Sequence, residues 1–299
     1  IVDNLALTSD SAVLKFGADN DTTLTHTDGT GLTLNSTNKL CFNDTSQFIQ
    51  GSSATVISIG ATDEIDLTAT AVDLNGTLDV SGTSQFNAAV TLAGTTPTLT
   101  IGDAGAEDAK IVFDGNAQDW HIGLDDTADD LVIGLGSALG TTTHMAFDEA
   151  GHVTMPLQSA FFAVLDTAQN NATGDSTAVD IGTWGTEVVD RNADFNSSSG
   201  VFTAPVTGLY VIMSNGLIQG IESDHNDNQF KVISSNRTYD TLGEITSSSI
   251  GFSGSLNQSF CGVIDMDASD TVKLQIDFRS GSKVVDIHDG FKFSGYLLG

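Results

Sequence analysis

The chain has 299 residues and sets 10 Lys and Arg against 39 Asp and Glu, a formal net charge of -29. A surface that acidic repels phosphate backbones and anionic lipid headgroups, which argues against nucleic acid or membranes as partners. Thr, Ser, Gly, Asp and Val dominate while strong helix formers are few, the composition of strands joined by tight turns. No stretch approaches the roughly 18 apolar residues of a membrane-spanning helix.

Taken in order, the first 50 residues predict short hairpins, with turns at Asp19-Asn20-Asp21 and Thr27-Asp28-Gly29. From Ile57 to Ile101 one phrase recurs: Ile57-Ser58-Ile59, Ile65-Asp66-Leu67, Val72-Asp73-Leu74, Leu78-Asp79-Val80, Val90-Thr91-Leu92 and Leu99-Thr100-Ile101. Each puts a polar residue between two apolar ones, so the apolar pair faces one side of a strand. Strands so short need neighbours, within a chain or between chains, and residues 1–106 are read as a repetitive β-stalk, β-helix-like or intertwined from three chains.

Residues 107–157 form a β-rich connecting block. Its strand candidates are Lys110 to Phe113, Trp120 to Leu124, Leu131 to Leu135 and His144 to Phe147, with a turn at Asp148-Glu149-Ala150-Gly151. Pro156 marks the next boundary, where charge also changes: residues 1–158 carry 3 basic and 22 acidic side chains, residues 159–299 carry 7 and 17. In the remaining 158–299, Val272, Leu274, Ile276 and Phe278 alternate with polar residues as in a half-buried antiparallel strand. Leu209 to Met213, apolar throughout, reads as a strand covered on both faces. Cys41 and Cys261, each inside an apolar segment, read as buried free thiols. No signal peptide is visible and the chain opens at Ile1, so it is read as the distal part of a longer protein.

Two resemblances follow from longer phrases. Asp194-Phe195, the run Gly200-Val201-Phe202-Thr203-Ala204-Pro205-Val206-Thr207-Gly208-Leu209-Tyr210, then Asp270-Thr271-Val272-Lys273-Leu274 and the closing Phe293-Ser294-Gly295-Tyr296-Leu297-Leu298 keep the order and spacing of a known head domain. That region resembles the globular head of the complement recognition subunit, in the tumour necrosis factor-like superfamily. The resemblance implies an antiparallel jelly roll and a homotrimer. Leu14-Lys15-Phe16-Gly17-Ala18-Asp19, Gly31-Leu32-Thr33-Leu34-Asn35-Ser36-Thr37 and Trp120-His121-Ile122-Gly123-Leu124-Asp125-Asp126 are similar to distal regions of tail-fibre-like proteins of marine bacteriophages. No collagen-like Gly-X-Y run precedes the head, which favours a viral or bacterial fibre over a complement or hormone role.

If the last strand, about Phe291 to Leu298, runs toward the stalk, the loops about Ser280–Gly290 and Arg237–Ser247 are expected together at the far tip. They hold Arg237, Tyr239, Lys283 and His288, with Arg279 at the edge, basic and aromatic groups suited to an anionic or sugar-bearing surface. The plainer reading pairs them with Asp240 and Asp286 as a solvated rim. Asp224 and Asp227, and separately Asp265 and Asp267, are candidate oxygen ligands for calcium, although neither segment fits the D-x-[DN]-x-[DN]-G loop. No cofactor and no catalytic residue is assigned. Gly134 to Gly140 lacks the dinucleotide spacing, and the six histidines show no H-E-x-x-H. The expected function is therefore non-enzymatic: the distal part of a trimeric phage tail fibre, extracellular on the virion. It would bind a host cell-surface glycan or protein and join other tail proteins through an upstream region. A virion decoration or head fibre is one alternative. A tailspike-like polysaccharide depolymerase, hinted at by Trp120 among Asp119, Asp125 and Asp126, is the other.

Overall fold

The computed structural model describes residues 6–240 and 253–299. Every strand pair among them is antiparallel, and a 3-10 turn at Arg191–Ala193 is their sole helical element. The chain divides into two compact units, residues 1–91 and 92–299.

The first unit holds two small sheets. Strands β1 (Val13–Phe16), β2 (Thr22–Thr27) and β3 (Gly31–Leu34) form one, and β4 (Lys39–Phe42), β5 (Asp44–Ser53) and β6 (Val56–Gly60) the other. The β1–β2 reversal uses Gly17 and Asn20, both at positive φ, where Gly and Asn fit with least strain. Asn35 ties the first sheet, its Oδ1 accepting from the Thr23 amide and its Nδ2 donating to the Asp21 carbonyl. Leu14 stands opposite Leu24 and Leu24 opposite Leu34, while Ile49 stands opposite Ile59. These pairs make apolar faces, yet no described side chain before His121 is buried.

Residues 61–108 contain no strand. The repeated phrases from Ile65 to Ile101 make no ladder within the chain, so a β-helix closed by one chain is not formed. Each phrase is too short to hold a neighbour by backbone bonds alone, and their irregular spacing offers no common register.

The second unit opens with β7 (Ala109–Phe113), β8 (Trp120–Asp125), β9 (Asp130–Leu135), β10 (Thr143–Phe147) and β11 (Val153–Thr154), which pair in sequence order as a meander. The sequence-predicted strands of this block are therefore formed. The Gly134–Gly140 segment is part strand and part turn, with Gly136 and Gly140 at positive φ.

Two facing sheets follow. Their strands are β12 (Ala160–Val164), β13 (Gln169–Thr173), β14 (Val179–Asp180), β15 (Thr186–Asp190), β16 (Phe195–Asn196), β17 (Val201–Thr203), β18 (Gly208–Ile221), β19 (Asn226–Ser234), β20 (Thr238–Asp240), β21 (Gly254–Met266), β22 (Thr271–Arg279), β23 (Val285–Ile287) and β24 (Lys292–Leu297). One sheet runs β15-β12-β24-β18-β21, with β23 and β13 extending it beside the second half of β18. The other runs β16-β17-β22-β19-β20, with β14 on β22. Consecutive long strands alternate between the sheets, which is the order of a jelly roll.

The sheets bury one shared core. Phe161 stacks on Phe195 and Phe202, at ring-centroid distances of 4.9 and 4.7 Å, and meets Phe293 edge-on at 4.9 Å. Tyr210 is fully buried, and its hydroxyl donates to the Val206 carbonyl at 2.7 Å, so no polar group is stranded there. Gly200, at φ +70, lets the chain turn against the Trp184 indole and the Ile181 carbonyl, where a Cβ would collide.

Two sequence expectations fail here. Within the chain, Leu209–Met213 is covered on one face only: Tyr210 and Ile212 point into the core, while Leu209 is exposed and Val211 and Met213 are half-exposed. Cys41 and Cys261 are both exposed rather than buried. Strand alternation explains Cys261, which stands opposite Met213 on the outer side, and the sheet around Cys41 has no second layer. Phe161→Ala should cost about 3–5 kcal/mol through cavity formation and the loss of three ring contacts. Urea denaturation followed by the near-ultraviolet signal of the head measures this, and a loss below 1 kcal/mol would contradict the proposed centre of the core.

Candidate functional site

The strand register fixes which loops share an end of the sandwich. Ala160 stands opposite Tyr296, Tyr210 opposite Leu297 and Gly208 opposite Met266, so the chain enters the head at the end carrying those residues. The amide of Ala204 donates to the Asp270 carbonyl, bringing the β17–β18 and β21–β22 connections to the same end. β19 arrives there too, because Ser234 stands opposite Val272. Its turn closes at once, the Ser234 amide donating to the Arg237 carbonyl at 2.8 Å.

Arg237 and Tyr239 therefore lie near the entry end. Lys283 lies at the opposite end, beside the 222–225 connection, where the Ser282 carbonyl accepts from His225. His288 follows β23, its amide donating to the Leu217 carbonyl. The expectation of one tip holding all four is corrected: a tight turn after Ser234 reverses the chain one strand too early for Arg237 to reach the far end. The remainder of that expected loop, 241–247, lies outside the described residues.

The structure instead builds a cleft of about 270 Å³ around Arg237 and Tyr239, lined by Leu209, Asn236, Val263 and Asp265. The edge strands β20 and β21 supply opposite walls. Tyr239 is held against Phe260, ring centroids 5.8 Å apart, and Asn236 donates to Asp270 Oδ2 at 2.6 Å. Among the described residues the Arg237 guanidinium, exposed in a strongly acidic chain, makes no ion pair. Leu209 and Val263 belong to the outer apolar face of the first head sheet, so the cleft combines a cation, a phenol and an apolar wall.

The calcium candidates are not gathered into one site. Asp265 borders this cleft and Asp267 accepts weakly from Thr207 at 3.4 Å, whereas Asp224 and Asp227 lie at the far end. Asp224 is close to Glu222 and His225, with ligand atoms within 4.8 Å of one another. The buried His225 ring is already committed: Nδ1 accepts from the Glu222 amide and Nε2 donates to the Ser282 carbonyl, both at 2.9 Å. That ring has no lone pair left for a metal.

A charged cluster that sequence reading did not single out sits on β19 and β22. Arg279 bridges Asp277 and Asp227 and also donates to Gln229, and Lys231 approaches Asp277 at 3.8 Å. Asp277 is buried, and its hydrogen bond holds Arg279 above the ordinary guanidinium range. The sequence carried a faint signal, an Asp at an outward position flanked two residues on by Arg, but not the pairing to β19. Around Trp120 the carboxylates cap turns: Asp119 accepts from the Gly115 amide, and Asp125 from those of Thr127 and Ala128. They form no convergent acid pair.

No protein-family model matches the chain, and no curated protein matches it either. Among solved structures, the globular domain of zebrafish complement 1qA protein is similar at 19% identity and TM-score 0.31, over 48% of this chain and 98% of that one. Murine APRIL at pH 8.0 is similar at 14% identity and TM-score 0.33, over 47% of this chain and 99% of that one.

Arg279→Ala should destabilise the head by about 3 kcal/mol, because Asp277 would stay buried with its strongest partner gone. Combining it with Asp277→Asn should recover part of that loss. Thermal melts of the three variants decide this, and an additive double variant would show that the two residues do not act as a pair.

Proposed function

We propose that this chain is a structural and recognition protein, a β-fibre assembled from three copies whose jelly-roll heads engage a cell-surface ligand. The observation that supports it is the amount of apolar surface that the chain's own fold leaves uncovered. In the first unit, Phe42, Phe48, Ile49, Ile59 and Ile65 line an open groove of about 470 Å³. In the head, Phe162, Val211, Met213, Val263 and Tyr296 make a continuous half-exposed face across β12, β24, β18 and β21. Monomeric chains rarely carry several such patches, whereas multi-chain assemblies bury them. Intertwining of chains also gives the short repeated phrases the neighbours they lack.

The recognition half of the reading rests on the cleft. An exposed guanidinium beside a phenol and an amide suits a carboxylate-bearing sugar, which would be bound by charge-assisted hydrogen bonds and stacking. Three copies would engage a repetitive surface with a gain in avidity. A phage tail fibre, extracellular on the virion and bound to host glycan, is the setting that the sequence resemblance favours.

Light scattering coupled to size exclusion should return three times the chain mass, and a single-chain mass would refute the assembly. On a surface carrying carboxylated and neutral glycans, the wild-type chain should be retained by the carboxylated set. Arg237→Ala with Tyr239→Ala should weaken retention tenfold or more without altering the scattering mass. Unchanged retention would place recognition elsewhere.

A further inference from the structure

The five-stranded sheet of residues 109–154 has two faces with different fates. Under the 136–142 segment, His121, Val132 and Ala146 are buried together with Leu139, and His121 Nδ1 donates to the Gly136 carbonyl at 2.8 Å. The other face has no such cover. Ile111, Ile122, Ile133 and Met145 stand opposite one another in a single row across four strands. On one side of it runs a second row, Leu124, Leu131 and Phe147. On the other side Phe113 stands opposite Trp120, 60% and 40% exposed.

Leu99 and Ile101 reach this face but leave an open groove of about 240 Å³ and stay largely exposed themselves. The chain therefore covers one margin, half-buries the central row and leaves the flanking side chains open. The central Ile122, Ile133 and Met145 are partly buried while the surrounding side chains are 37–66% exposed; at roughly 200 Å² per large side chain, the uncovered area is on the order of 800 Å². That is about one partner's share of a standard stable interface.

The distribution of charge identifies the occupant. Strand alternation puts no Asp, Glu, Lys or Arg on this face of β7 to β10; the His144 ring packs on Trp120 at its margin, centroids 4.9 Å apart, and Lys110 borders the Leu99–Ile101 groove. The carboxylates sit in the turns at its ends, Asp114 and Asp119 at one and Asp125 to Asp130 at the other. Two such chains repel everywhere except where their uncharged faces meet, so the faces are self-complementary and the acidic rims stay in solvent. A basic partner would be drawn to the rims instead.

We propose that this face is a self-association surface, through which copies of the chain join their five-stranded sheets about a shared apolar core. The proposal rests on the multi-copy reading above and adds a location for the junction.

Trp120 lies on the face and reports on it. The difference in acrylamide quenching between the full wild-type chain and Trp120→Phe isolates its signal from that of the buried Trp184. In the assembled chain this component should be quenched about tenfold less than tryptophan free in water. Dilution to single chains should expose it, and so should Leu124→Asp, a substitution at a side chain already 55% exposed. Ile133→Asp, at the centre, should give the same result, and circular dichroism checks that both variants keep their strands. A multi-copy chain with a freely quenched Trp120 would overturn this surface while leaving the assembly intact. A single-chain mass with Trp120 exposed at every concentration would overturn both and assign the face to a different occupant. A Trp120 shielded in single chains would also overturn the proposal, since the chain would then cover the face itself.

Discussion

Everything in this molecule turns on whether a sheet has a second layer to cover its apolar side. In the head it does. The two sheets close on Phe161, Phe202, Tyr210 and Phe293, and the interior positions of β22 are buried. Each buried aromatic removes some 150–250 Å² from water, so this one core supplies most of the favourable free energy the chain gains on its own. Among the described residues, nothing forms a second layer over the small sheets of residues 13–60 or the outer face of the 109–154 meander. Their side chains are as apolar as those of the head, and what differs is the absence of a facing element.

The acidity of the chain belongs to the same picture. Carboxylates occupy turns, where they accept from backbone amides, as Asp44 does from Ser46, Asp125 from Thr127 and Asp148 from His152. The Ser46 hydroxyl and the His152 ring, with those amides adding to them, hold Asp44 and Asp148 below the ordinary carboxylate range. In the 109–154 sheet the carboxylates sit at the strand ends and turns, which leaves the apolar side of that sheet free of them. The head strands carry carboxylates as well, among them Asp180, Glu187, Asp227 and Asp265; among the described residues Asp277 is the buried one, on the outer side of β22, and it is answered by Arg279 and Lys231. A buried charge is tolerable there because two cations neutralise it.

The Arg237 cleft depends on edges. β20 and β21 are the last strands of their respective sheets, so their side chains line a gap between layers rather than a continuous surface. Arg237 reaches that gap because the four-residue turn Ser234–Arg237 reverses the chain at the end of β19. A longer loop would have carried it away from Asp265 and Val263.

Alternation and turn chemistry were legible in the sequence. The period-2 pattern of Thr271–Arg279, the strands of the 109–154 block and the reversals at Asn20 and Gly151 are local properties, set by backbone preference and by which residues accept positive φ. Whether an apolar residue found cover was not local. Leu209–Met213 reads as a strand buried on both sides, and Cys41 and Cys261 read as buried thiols, because hydrophobicity reports a wish for cover and not its presence. Ladder pairing between distant segments was equally invisible. It put Arg237 at the entry end and Lys283 at the other, closed His225 between Glu222 and Ser282, and joined Arg279 to Asp227. The sequence by itself determined the turns, the charge and the strands outside 61–108, where short phrases found no partner. Only the tertiary structure decided which faces are shielded and which side chains meet, because both depend on contacts between residues far apart in the chain.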